Sequence, residues 1–386
     1  MSLAAPLREQ GKLVHILGNR SLHAIGDLSG CEPAFALRCE ETPLIPGLDP
    51  LSAAGIEQIR QRRNDLLVAD LNRIARTHQL TDADVLLINS LRHWSLEAIV
   101  EWLEKLDSEN MPTVVLVLHY TAFPHPGVAG ATARAYRDAF VRIKGSIVAR
   151  KIILCTDSER LAEEYRSLAD ISITVLPIPH RPPARLVEHD IGAELTIAFA
   201  GEARKDKGFL LLPQVIRDVM AQETARKIVF RLQAYCADRG EEACRLARAD
   251  LPACSAIEIL SEPLDEAQYE QFIAQADLIL IPYLREAYHA QTSGVYCEAA
   301  ALGTPVVVPE GTWMADQLVR NGGGVVFESG NAVSLASACL EAIRNYPALR
   351  EQALSAAPDW RAFHDPENFV SELERAIRHT RSTTPN

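Results

Sequence analysis

Short apolar runs alternate with amphipathic stretches along most of this chain, and the alternation stops once and restarts. The first series opens with LVHIL near Leu13. It continues through DVLLINS near Asp84, the helical stretch LEAIVEWLEKL and the run TVVLVLHY from Thr113. A helical stretch from about Thr132 to Arg150, KIILCTDS from Lys151, the helical ERLAEEYRSL and SITVLPI complete it. Apolar runs of this length between helical patterns predict strands of a parallel sheet covered on both faces. The interruption is PIPHRPPARLVEHD, where Pro177, Pro179, Pro182 and Pro183 resist helix and cannot donate to a sheet. ELTIAFAG, GFLLLPQVIRDVM, KIVFRLQAY, AIEILSEP, LDEAQYEQFIAQA, DLILIPY, SGVYCEAAALG and TPVVVPE then repeat the alternation. The fold class expected is α/β, with two Rossmann-like domains facing a cleft. The division expected is 1–185, 186–365, and 366–386 as a C-terminal helix with a disordered tail.

The 386 residues suffice for two full cores. A net charge of -12 excludes a global electrostatic grip on nucleic acid. The eight cysteines form no C-x-x-C pair, and most stand among apolar residues, which suits a reducing, cytoplasmic compartment. No apolar stretch is long enough to span a bilayer. Residues 131–151 form a basic amphipathic stretch that is either a domain helix or a peripheral contact with the inner face of a membrane.

Ligands of open parallel sheets bind beyond the carboxyl ends of the strands, and three such ends in the second half carry suitable residues. After LTIAFA comes GEARKDKGF: Gly201 allows a tight exit, and Arg204 and Lys207 offer charges that could neutralise a diphosphate leaving group. The plain alternative is a solvated, charged helix start. After DLILIPY, a loop over residues 283–292 leads to a helix beginning near Ser293 and Gly294. The open N–H groups there and at Val295 make an anion site, and Gly294 leaves room for phosphate. Glu298 follows one turn later among small and apolar neighbours, placed to hold ribose hydroxyls or to anchor the helix. After VVV, Gly311, Thr312 and Trp313 either border the ligand or form a simple turn with Trp313 packed on the core.

In their order these features resemble the GT-B glycosyltransferases, particularly the retaining enzymes that use nucleotide-diphosphate sugars. The resemblance spans residues 195–335 and rests on Gly201, Arg204, Lys207 and Gly208; on ADLILIPY; on Ser293, Gly294, Glu298 and Ala299; and on LGTPVVVP. It implies transfer of a sugar to a glycan, lipid-linked or other acceptor, of the kind used in polysaccharide biosynthesis, with no metal and no cofactor. It also implies that Arg204 and Lys207 stabilise the leaving charge. Donor contacts would come from Gly201, Ser293, Gly294, Val295 and Glu298. The family often places a further Glu eight residues before the second, where this chain has Ala290, so Arg285, His289 or Gln291 would meet the sugar instead. LGNRSLHAIGDLSG, with Gly18, Gly26 and Gly30, stands where the family has a Gly-Gly loop. His119, ending TVVLVLHY, matches a strand-end histidine that hydrogen-bonds the transferred sugar; its alternative is local satisfaction by neighbours. A nucleotide-sugar epimerase and a non-catalytic nucleotide-sugar-binding protein are the competing functions on the same architecture. Asp82 and Asp84 precede their strand, at the wrong end for a catalytic metal.

Overall fold

The computed structural model describes residues 3–20, 30–37, 43, 45, 48–49, 52–89, 91–123, 129–146, 148–180, 194–236 and 242–382. The chain divides into two units: residues 1–177 with 366–386, and residues 178–365.

The first unit begins with α1 (Ala4–Glu9), β1 (Ile16–Asn19), β2 (Cys31–Phe35) and the long α2 (Ala53–Thr77). Then come β3 (Val85–Asn89), α3 (His93–Leu103), β4 (Thr113–Leu118), α4 (Ala129–Gly145), β5 (Ile152–Thr156), α5 (Glu159–Leu168) and β6 (Thr174–Val175). Strands β3, β4, β5 and β6 form one sheet in that order, all parallel. Every residue of β4 and β5 is buried, as expected for central strands covered on both faces. The run near Leu13 does not join this sheet. Its strand starts at Ile16 and pairs in parallel with β2 as a separate two-stranded sheet. Residues 21–29, including Gly26, lie outside the described residues, as does most of the proline-rich connection.

The second unit runs through β7 (Glu194–Phe199), α6 (Leu212–Gln222), β8 (Lys227–Gln233), α7 (Glu242–Ala249), β9 (Ile257–Leu260) and α8 (Glu266–Ala274). It continues with β10 (Leu278–Leu280), α9 (Arg285–Tyr288), α10 (Gly294–Leu302), β11 (Val306–Pro309), α11 (Trp313–Asn321), β12 (Gly324–Phe327), α12 (Ala332–Arg344) and α13 (Tyr346–Phe363). Its sheet runs β12-β11-β10-β7-β8-β9, parallel throughout. Counted from β7 as the first strand, this is the doubly wound order 3-2-1-4-5-6. Alternate residues of β7 serve opposite cores. Leu195, Ile197 and Phe199 pack with the residues of α6 and α12, whereas Ala198 and Ala200 pack with those of α8, α10 and α11. The helix starts are capped as their sequences dictate: Asp265 and Gln268 form a reciprocal capping box on α8, and Ser293 and Thr312 cap α10 and α11.

Several expectations need correction. The stretch 283–292 is not all loop, because it contains α9. The glycine-rich Asn321–Gly324 segment turns through Gly322 and Gly323, both at positive φ, and delivers the chain into β12, a strand the apolar runs did not predict. The helical stretch near Thr132 ends at Gly145. Its apolar residues Ala133, Tyr136, Ala139, Phe140 and Ile143 are buried inside the first unit, and Tyr136 stacks near Tyr165. That face is therefore occupied by the protein's own core. Asp84 caps the turn at Thr81 through two hydrogen bonds of 2.7 and 2.9 Å, at the entry to β3.

The expected C-terminal helix is α14 (Pro366–Ser382), and it groups with the first unit. Phe369, Leu373 and Ala376 pack against Val115, Val117, Ile153, Cys155 and Leu176. The chain enters and leaves the second unit side by side, because the Ile178 N–H donates to His364 Nδ1 at 2.9 Å and the His180 N–H to the His364 carbonyl at 2.9 Å. Phe369→Ala should therefore destabilise the first unit by about 3 kcal/mol through the cavity it leaves. Amide exchange should speed in β4 and β5 and stay unchanged in β10 and β11; equal protection in both proteins would show that α14 is only a passenger.

Candidate functional site

Strand order in the second unit reverses between β7 and β10, which are hydrogen-bonded neighbours. A crevice opens where such neighbours send their connections to opposite sides. The chain leaves β7 through Gly201 and β10 through Pro282, so both expected donor-site segments start at this point.

Two glycines allow the segments to come together. Gly201 has φ +115°, and a Cβ there would lie 2.6 Å from Lys207 Nζ. Gly208 has φ +71°, and a Cβ there would lie 1.9 Å from the Pro282 carbonyl oxygen. Any larger residue at 208 would force the two loops apart. The Leu284 N–H donates to the Asp206 carbonyl at 2.8 Å and completes the junction.

The two cations differ in their surroundings. Arg204 is held on Asp206, with Nε 2.9 Å from Oδ1 and Nη2 against Oδ2, and it also donates to the Tyr288 hydroxyl at 3.2 Å. The Asp206 hydrogen bond raises its pKa further above an already high value. Lys207 has no carboxylate in ion-pair range among the described residues. Its ammonium lies beside Gly201 and 5.6 Å from the centroid of the Tyr283 ring. Burial, followed by the nearby Arg204 charge, holds its pKa below the usual lysine value. Lys207 thus has charge to share with an anion, while Arg204 is oriented by a carboxylate that already uses part of its capacity.

Beyond β10, Ser293 accepts the Tyr296 N–H at 3.2 Å, and its carbonyl takes the Cys297 N–H at 3.0 Å. The N–H groups of Gly294 and Val295 keep the free status of first-turn donors, with no acceptor among the described residues. Gly294 is exposed, and a Cβ added there would meet nothing within 4 Å. Tyr283 is buried, and its ring centroid lies 4.4 Å from that of Tyr288.

Glu298 has a partner. Tyr269, on α8, donates to Glu298 Oε2 at 2.6 Å. Burial raises the carboxyl pKa to about 7, overcoming the lowering effect of that hydrogen bond, and Glu270 raises it further. Arg285 is exposed on α9. Its N–H donates to Ser329 Oγ at 2.9 Å, and its side chain lies over Gly311, where a Cβ would be 2.7 Å from Cδ. The loops after β10, β11 and β12 therefore meet at Arg285. Trp313 is buried in the core, as the simple-turn alternative had it, and its N–H donates to the His289 carbonyl at 3.1 Å. Gln291 is half-buried beside them. Ala290, which stands where the family often has the first of its two glutamates, is fully buried.

His119 lies in the other unit, just past β4. Its Nδ1 is 2.7 Å from Asp157 Oδ2, and its Nε2 is 2.5 Å from Asn89 Oδ1. Both ring nitrogens are thus held by residues at the ends of neighbouring strands, rather than by Tyr120 or Thr121. Tyr269, Tyr283, Tyr288 and Asp206 were not singled out from the sequence. Tyr283 and Asp206, both in segments that leave strand ends, stood where a signal could have been read.

Residues 194–345 match the model of a protein family described as glycosyl transferases, group 1. This segment is less than half of the chain, and it makes the second unit similar to the group 1 glycosyltransferases. No curated protein matches the sequence. Among solved structures, a sucrose-phosphate synthase from Thermosynechococcus elongatus aligns over 99% of this chain and 92% of its own, with 12% identity and a TM-score of 0.66. A UDP-forming alpha,alpha-trehalose-phosphate synthase from Burkholderia xenovorans, in complex with glucose-6-phosphate, aligns over 84% and 78%, with 12% identity and a TM-score of 0.62. A trehalose-6-phosphate structure from E. coli bound with UDP-2-fluoro glucose aligns over 87% and 80%, with 13% identity and the same TM-score. At these identities the likeness is one of fold. The matched family segment contains every expected residue of the glycosyltransferase site except His119.

The Glu298 environment gives this protein a pH signature. Its folded pKa, about 7, lies above the ordinary 4.5, so the folded state binds the proton more tightly than the unfolded state. Stability from this group is fully present below pH 4.5. It falls as pH rises towards 7 and levels off above it, by up to about 3 kcal/mol. Glu298→Gln should remove that slope, leaving the ligand-free variant as stable as wild type or more so at pH 8. Melting curves across pH 4.5–8 test this, and a variant that melts lower at pH 8 would make the Glu298 carboxylate a structural anchor.

Proposed function

We propose that the enzyme transfers a glycosyl group from a nucleoside-diphosphate sugar to a hydroxyl of a glycan, lipid-linked or other acceptor, with retention and without a metal. The observation that carries this reading is that the segments leaving β7 and β10, neighbours at the strand-order reversal, carry Lys207, with no carboxylate in ion-pair range among the described residues, and the open helix start at Gly294 and Val295. An ammonium without a carboxylate partner and two unused N–H groups suit a diphosphate, whose charge grows as its bond to the sugar breaks.

In the proposed step the bond from the anomeric carbon to the diphosphate oxygen breaks, and its electron pair goes to that oxygen. Lys207, Arg204 and the helix N–H groups stabilise the charge. The acceptor oxygen bonds to the anomeric carbon on the face the diphosphate leaves, and its proton passes to the departing phosphate oxygen. Glu298, oriented by Tyr269, accepts hydrogen bonds from the ribose hydroxyls. Arg285, His289 and Gln291 serve the sugar.

Lys207→Ala should lower turnover by roughly 10²-fold or more. Gly294→Ala tests the phosphate position separately. The added methyl meets no protein atom, and Ala is the better helix former. Ligand-free stability should therefore hold or rise, while affinity for the matching nucleoside diphosphate falls. Calorimetric titration of UDP, ADP and GDP into both variants and wild type reads this directly. Unchanged affinity in Gly294→Ala together with unchanged turnover in Lys207→Ala would move the donor elsewhere. Conversion of a nucleotide sugar with no acceptor present would favour the epimerase, and binding without turnover the binding protein.

Turnover should survive EDTA, since backbone N–H groups and two cations supply the neutralisation. Loss of transfer in EDTA, restored by magnesium or manganese, would overturn the metal-free mechanism.

A further inference from the structure

Three side chains far apart in sequence meet in the first unit, and none of them is among the residues assigned above. His15 directly precedes β1, Glu32 lies in β2, and His78 is the C-cap of α2. Leu17 is paired with Glu32 across the parallel ladder, and His15 lies two residues before Leu17, on the same face. The Glu32 carboxylate reaches both imidazoles, with Oε1 2.7 Å from His15 Nδ1 and Oε2 3.4 Å from His78 Nε2. The two rings are 4.4 Å apart between centroids, tilted by 58°. One ligand atom from each residue lies within 4.8 Å of the other two.

We propose that His15, Glu32 and His78 bind one divalent transition-metal ion of the zinc class, clamping β1 and β2 to the end of α2. Bonds of about 2.0–2.2 Å at tetrahedral angles put ligand atoms roughly 3.4 Å apart. The trio needs shifts of about 1 Å or less on average to reach that arrangement. His15 and Glu32 have side chains 41% and 45% exposed, so they are free to adjust, while His78, at 11%, is the fixed point. Their exposure also leaves a fourth position for water. Two imidazole nitrogens and one carboxylate oxygen suit zinc and its neighbours and not magnesium or calcium, which take oxygen ligands. Cys31 is adjacent to Glu32 in β2 and so belongs to the opposite face of the strand.

The site has structural work to do. A pair such as β1–β2 is marginal alone, and among the described residues it joins no larger sheet. Asp70 already ties the exit of β2 to α2 by accepting the Ala36 N–H at 2.7 Å. A metal would add a second tie at the other end of the same pair. Ligands from three separated points bind metal together only in the folded chain, so the ion stabilises by mass action.

The test uses the full chain, stripped with chelator and desalted. Equilibrium dialysis against zinc should leave one ion per chain, and zinc should raise the melting temperature by a few degrees. His15→Ala and His78→Ala should each weaken zinc binding by more than about 100-fold, with nucleoside-diphosphate binding unchanged, since that site lies in the other unit. Cobalt(II) loaded into wild type should give the intense visible bands of a four-coordinate nitrogen–oxygen site, a readout that needs no variant. The weak spectrum of six-coordinate aqueous cobalt, or equal zinc uptake by the double variant, would overturn the proposal. Because EDTA strips this ion without touching the donor site, a lower melting point with transfer retained is expected, and it distinguishes this site from a catalytic metal.

Discussion

The candidate site depends on one topological constraint: β7 and β10 are neighbours in the sheet although two strand–helix units separate them in the chain. The connections leaving these strands go opposite ways, so the sheet cannot close over its own edge at that point. The backbones of the two exit segments then pack directly on each other at Gly208 and Pro282. A side chain at 208 would prevent that approach, so the position of Lys207, one residue earlier, depends on a hydrogen atom in place of a methyl group.

The electrostatic pattern at this junction is economical. Asp206 neutralises and aims Arg204, Tyr288 supports both, and Lys207 is held by geometry and an aromatic face rather than by a counter-charge. Tyr269 satisfies one oxygen of Glu298, leaving a carboxyl group whose charge is disfavoured by burial. An active site that binds a diphosphate benefits from such restraint, because uncompensated cations and anions in one crevice would neutralise each other before a ligand could.

Much of the strand–helix order was legible because buried parallel strands leave uninterrupted apolar runs, as in TVVLVL and LILIP. The same logic missed α2, whose exposed charged face masks a narrow buried stripe around Leu71 and Ile74, and β12, an edge strand introduced by glycines. Ser293 and Gly294 were legible because caps and helix starts are local chemistry. Tyr269 as the partner of Glu298 was not, for the two stand on different helices and 29 residues apart. The His15–Glu32–His78 cluster was invisible for the same reason: its members follow no ligand spacing and meet only once β1, β2 and α2 are packed.

The sequence by itself determined the repeated α/β alternation, the strand ends where ligand chemistry could gather, and the helix start with its spare N–H groups. These follow from local periodicity, capping and the conformational range of glycine. Only the tertiary structure decided which strands became neighbours, that α14 returns to the first unit, that Arg204 is committed to Asp206 while Lys207 is not, and that burial raises the Glu298 pKa. Those outcomes depend on through-space contact and burial, and chain separation carries no information about either until the core has formed.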